Sequence, residues 1–109
     1  MAEAFGAPII IESPLRPGSM RALAGDREVP MLLLEAGEAL RFDRFSIETG
    51  VAGVLRVLAH IGMIDADDGL AEVHVPVRSS RSSWVRAPRG GVSHRVRKSG
   101  DIVRTGDLL

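Results

Sequence analysis

Glu35 follows four apolar residues, Met31–Leu34, without a break. If that run is a buried strand, the carboxylate stands at its C-terminal end, the edge where open α/β sheets gather ligands and catalytic groups. A carboxylate held there can take a proton and return it. Glu38, three residues on, is a rival for the same role, and a plain surface loop would account for both. The three histidines offer less. His60 falls in the last turn of an expected helix, where the helix dipole favours a cation. His74 and His94 lie in a β-patterned stretch with no carboxylate at ligand spacing, and neither H-x-x-E nor H-E-x-x-H occurs in the chain. The acidic turn Asp65-Ala-Asp-Asp-Gly69 is not a calcium loop: its glycine comes one position early and no glutamate closes it. It reads as part of a linker. There is no nucleophile elbow, phosphate loop or dinucleotide fingerprint.

The elements that must hold these residues follow from punctuation and period. Ala4, Phe5 and Gly6 end a first helix, which Pro8 prevents from continuing. The β-branched run Ile9–Ile11 suits a strand buried on both faces, as in a parallel sheet. Two prolines and Gly18 make residues 13–18 a loop. Ser19 caps a short helix, Met20–Ala24, which Gly25 ends. Val29–Leu34 is then a second buried strand, completing a βαβ unit. Asp43 opens the longest helix. Its apolar stripe is Ile47, Val51, Val54, Leu55, Leu58 and Ile61, and Gly62 ends it. Gly50 and Gly53 inside it cost about 1 kcal/mol each relative to alanine, tolerable if a neighbouring strand or helix packs close there. From Val73 the pattern shortens to β segments, Val73–Val77, Ser83–Val85, Val92–Val96 and Ile102-Val103. Turn signals at Pro88–Gly91, Ser99–Asp101 and Thr105–Asp107 separate them.

Charge divides the chain at the same place. It has 109 residues and 14 basic against 14 acidic side chains. Residues 1–73 carry six basic and twelve acidic groups, and residues 74–109 carry eight and two. The halves therefore stand at −6 and +6 and can attract one another. The basic half has a single aromatic, Trp84, with its arginines spread singly, so it reads as the polar face of a β module and not as a nucleic-acid surface. With no cysteine, a disulfide framework, a thiolate zinc site and a thiol nucleophile are excluded. No apolar run approaches the roughly 20 residues of a membrane helix. Met1-Ala-Glu-Ala carries no signal-peptide features. A soluble cytoplasmic chain is the expectation.

Several stretches carry a resemblance. Ala4-Phe-Gly-Ala-Pro8, Leu15-Arg-Pro-Gly-Ser19, Leu34-Glu-Ala-Gly-Glu-Ala-Leu-Arg-Phe-Asp43, Gly50-Val51 and His60-Ile-Gly-Met63 resemble the succinylglutamate desuccinylase/aspartoacylase family. The tail, Ser83-Trp-Val-Arg-Ala-Pro-Arg-Gly-Gly91 with Gly100-Asp-Ile-Val-Arg-Thr-Gly-Asp-Leu108, resembles the β domain that follows in bacterial members. The tail pattern is shared with barrel-sandwich carrier domains, but Lys98, the one lysine, does not sit in their modification motif. The resemblance implies an α/β fold: part of a zinc-carboxypeptidase-like parallel or mixed sheet with helices over residues 1–66, a linker at 67–72, and a partial, barrel-sandwich-like β module at 73–109.

It also implies a zinc-dependent hydrolase cleaving the amide bond of an N-acyl amino acid or a similar small molecule. Zinc would supply an acidified water and a polarised carbonyl. Glu35 would occupy the place of the glutamate that passes the water's proton to the leaving amine. Arg21 would hold a substrate carboxylate through its bidentate fork, with Arg16 as the alternative. The family's zinc ligands, an H-x-x-E pair and a later histidine, lie upstream of the segments matched here. The chain therefore reads as a C-terminal fragment without zinc ligands, inactive alone. Its small-molecule substrate would meet it without nucleic acid or membrane. An unpaired sheet edge favours association, including a homo-oligomer. The competing reading is a non-catalytic module that binds a protein partner through its β tail.

Overall fold

The computed structural model describes residues 1–65, 75–98 and 100–109. Helix α1, Ala2–Phe5, is closed by Gly6, whose φ of 76° is the left-handed conformation a helix stop needs. Strand β1, Ile9–Ile11, follows. Ser19 caps α2, Met20–Asp26, by accepting a hydrogen bond from the Ala22 N–H at 3.1 Å. Asp43 caps α3, Arg44–His60, by accepting from the Ser46 N–H at 2.9 Å. At its far end the Met63 N–H reaches Leu58 O and the Gly62 N–H reaches Ala59 O, with Gly62 left-handed, so α3 stops at the expected glycine. Strand β2 is Val77–Ser79. Among the described residues this is a small mixed α/β chain of three helices and a two-stranded parallel sheet.

The sheet departs from the expected βαβ unit. β1 pairs with β2, with Ile9 opposite Val77 and Ile11 opposite Ser79, so the crossover encloses α2 and α3. The Val77 N–H to Pro8 O bond and the Glu12 N–H to Ser79 O bond extend the ladder at both ends. Val29–Leu34 is not a strand, and its large side chains are exposed, at 37 to 61 %. Pro30 removes one donor from any ladder there. β1 is also more open than a strand buried on both faces, with Ile9 and Ile11 about half exposed. In the tail, Ser83–Val85, Val92–Val96 and Ile102-Val103 are irregular; of the expected β segments only Val73–Val77 meets a strand among the described residues, at Val77 alone, and that strand runs on to Ser79. The expected linker 67–72, the acidic turn from Ala66 on, His74 and Ser99 lie outside the described residues.

α2 also ends differently from its expected stop. It runs through Gly25 to Asp26, and the left-handed residue is Glu28, at φ 55°. Its N–H bonds Gly25 O, while the Val29 N–H bonds Ala24 O. Gly25 has another use. A Cβ there would come within 3.1 Å of Leu15 Cδ1, so the bare backbone lets the preceding loop lie on the helix.

α3 packs through its glycines. A Cβ on Gly53 would overlap the Phe5 ring of α1, and Gly53 is the one buried residue of α3. Leu34 reaches the Gly50 side of the same helix. The Arg56 guanidinium crosses to Phe5 O at 3.1 Å, covering a carbonyl at the end of α1. The apolar stripe points elsewhere: Ile47, Val51, Val54 and Leu55 are 40 to 57 % exposed. No apolar side chain among the described residues is buried. The chain exposes 10247 Å², where a compact monomer of its mass would expose about 5,900 Å². Its radius of gyration is 17.2 Å, against about 13 Å for a compact chain of this length.

Candidate functional site

Residues Glu35–Asp43 form the connection into α3. Gly37 at φ 80° and Leu40 at φ 60° turn the backbone, and Asp43 ends the connection as the helix cap. The turn leaves an open hollow of about 260 Å³, bordered by Leu34, Gly37, Glu38, Arg41, Phe42 and Ser46. Its polar groups are mostly engaged. Glu38 pairs with Arg41 at 3.7 Å, and beyond the hollow, on α3, Arg44 Nε donates to Glu48 Oε1 at 2.7 Å. Asp43 accepts from both the hydroxyl and the N–H of Ser46. The Ser46 hydroxyl, then its N–H, hold the Asp43 carboxyl below its ordinary value.

Glu35 stands apart from these pairs. It is exposed, and among the described residues it has no hydrogen bond or ion pair through its side chain. Its expected place at the end of a buried strand is corrected, because residues 29–34 build no strand. It occupies an irregular exposed stretch between α2 and α3. Arg21, in the first turn of α2, donates from Nη2 to Ser13 O at 3.1 Å and so ties the 13–18 loop to the helix. Arg16 lies in that loop with its side chain exposed, and its carbonyl accepts from the Ser19 N–H. No hydrogen bond or ion pair joins Glu35 to either arginine.

No three His, Asp or Glu side chains come together as a cation seat among the described residues. His60 is in the last turn of α3 and His94 is exposed in the tail, far apart in sequence and on different segments. Zinc therefore does not fit the residues described here. No helix among them is long and apolar enough to cross a membrane.

No protein-family model, no curated protein and no solved structure matches the chain. Its chemistry rests on its own residues.

One contact between distant segments was hidden in the sequence. Arg78, on β2, reaches Glu3 of α1 and also Glu12, the latter at 3.2 Å. The Glu3 carboxylate, and less strongly Glu12, raises the Arg78 pKa. The charge difference between the halves was its only signal. The +6 half does meet the −6 half, through one arginine clasping two glutamates. The tail also contains two matching turns. The Lys98 N–H donates to Asp101 Oδ2 at 2.8 Å, and the Arg104 N–H to Asp107 Oδ2 at 3.0 Å. In each, the aspartate N–H returns to the carbonyl three residues back. Gly100 and Gly106 share a φ near 95°.

Proposed function

We propose that this chain is the proton-handling part of a zinc-dependent amide hydrolase of the succinylglutamate desuccinylase/aspartoacylase type, acting on an N-acyl amino acid or a similar small molecule. The observation that supports the choice of residue is the state of the acids from 35 to 48. Glu38, Asp43 and Glu48 are each tied to a neighbouring side chain, whereas Glu35 is not. A proton carrier needs a carboxylate within reach of the reacting groups and not already committed to another side chain. Of the two rivals, the exposed and unengaged Glu35 meets that need, and Glu38 is the residue held by Arg41.

In this reading Glu35 accepts a proton from the water that attacks the amide carbonyl and delivers it to the departing nitrogen. Arg21 keeps donors beyond the one that grips Ser13 O and turns them to a substrate carboxylate, with Arg16 the alternative on the adjoining loop. In this reading the metal would be held by residues other than those described, among which no three His, Asp or Glu side chains come together. The test is release of free amine from N-acyl amino acids by the complete zinc-loaded hydrolase. Glu35→Gln should lower kcat by about 10²- to 10⁴-fold, and Glu38→Gln should leave it within about twofold. Unchanged turnover in Glu35→Gln would remove the assignment.

A non-catalytic interaction module is the second reading, favoured by the bare apolar surface of the tail. Trp84 is 88 % exposed, and Val92 and Ile102 are at least as open. Large apolar side chains left in water in this density mark a surface that meets another chain.

A further inference from the structure

Strand β2 is the one regular element of the tail among the described residues, and its grip on β1 is short. The ladder spans three residues, from Ile9 opposite Val77 to Ile11 opposite Ser79. The Val77 N–H to Pro8 O bond, at 3.0 Å, and the Glu12 N–H to Ser79 O bond, at 2.8 Å, stand at its two ends. Apolar burial does not hold it, because Ile9, Ile11 and Val77 are all more than half exposed. Nor does burial fix the register, since a strand with neither face buried is prone to slip. Charge distinguishes the observed register. Arg78 stands opposite Ile10, and its two terminal nitrogens take separate carboxylates. Nη2 pairs with Glu3 of α1, and Nη1 pairs with Glu12, just past β1, at 3.2 Å. A slip of one residue would turn Arg78 to the other face of the sheet and part it from both acids. Among the described residues no other arginine of the tail pairs with an acid of residues 1–65, and Arg97 pairs with Asp107 inside the tail.

We propose that Arg78 is a salt-sensitive catch that sets how firmly β2 stays on β1. With the clasp closed, the tail is fastened to residues 1–65. With the clasp screened, β2 lifts off β1 while α1 stays packed on α3. That packing is separate, because it rests on the Phe5 ring against Gly53 and on Arg56 reaching Phe5 O. Exposure makes the catch responsive. Arg78, Glu3 and Glu12 are each more than half exposed, so dissolved ions reach both pairs. The screening length falls from about 10 Å at 0.1 M salt to about 3 Å at 1 M. Exposed pairs are individually weak, so two of them shift the balance of closed and open by about two- to tenfold. The catch tunes a population and does not lock it. The proposal does not depend on the hydrolase reading.

Amide hydrogen exchange of the intact chain tests it, read at Val77 and Glu12, whose N–H groups close the ladder. Both amides should be protected at about 0.1 M sodium chloride. Raising the salt to about 1 M should speed their exchange by about two- to tenfold, with the α3 amides unchanged. Arg78→Gln should show the faster exchange already at about 0.1 M and lose most of the salt response. Arg86→Gln removes the same charge from the tail without touching the clasp, and it should behave like the intact chain. In a Glu3→Gln, Glu12→Gln background, Arg78→Gln should change nothing further. Four results would each overturn the proposal: no protection at Val77 and Glu12, exchange there unmoved by Arg78→Gln, a full salt response surviving in that variant, or α3 amides loosened by the same factor.

Discussion

Asp43 couples the connection bearing Glu35 to α3. It accepts two hydrogen bonds from Ser46, and both are stronger to the ionised carboxylate, which is why its pKa lies below the ordinary 3.8. A depressed folded-state pKa means a contribution to stability that is whole above the unfolded value and fades as pH falls through the folded one. The helical signal of α3 should therefore be flat above about pH 4 and decline in more acid solution. Asp43→Asn should keep the cap and flatten the part of that decline due to Asp43. Asp43→Ala should lose helix at neutral pH. Circular dichroism against pH for the three proteins checks this, and an acid limb equally steep in Asp43→Asn would contradict it. At this scale much was legible. Ser19 and Asp43 act as caps, and Gly6 and Gly62 as stops, because each needs only local backbone groups within a turn of itself. The setting of Glu35 was not legible, because it depended on a strand whose partners lie far away in the chain.

The elements show the same division between near and far. α3 forms where its period places it, yet its stripe of Ile47, Val51, Val54 and Leu55 faces outward while the glycine side packs. The close neighbour implied by Gly50 and Gly53 is there, as Phe5 and Leu34. The two glycines should respond oppositely to alanine. Gly53→Ala forces a Cβ into the Phe5 ring and should destabilise by about 1–3 kcal/mol. Gly50→Ala meets Leu34 Cδ2 at an ordinary 3.4 Å and should stabilise the helix by about 1 kcal/mol. Thermal unfolding followed at the helical band measures both, and the same sign for the two would refute this packing. The sheet was the least legible element. A three-residue strand such as Ile9–Ile11 chooses its partner by register with a segment 66 residues or more away, and no period within Val29–Leu34 excludes the wrong choice.

Across the described residues, α2 and α3 are capped by side chains but burial is slight. A chain of this length should enclose a core, yet only Gly53 of α3 is buried in any helix. Arg78 ties the basic tail back to Glu3 and Glu12, but all three side chains are more than half exposed, and such pairs hold geometry more than they add stability. In the hydrolase reading, the metal would be held by residues other than those described, and the segment with Glu35 and Arg21 would supply proton transfer and substrate grip. Equilibrium dialysis of the purified chain against micromolar zinc, followed by metal analysis, tests this division most directly. The account predicts no tightly held zinc. One zinc bound per chain would contradict it, because the chain would then build a metal seat of its own.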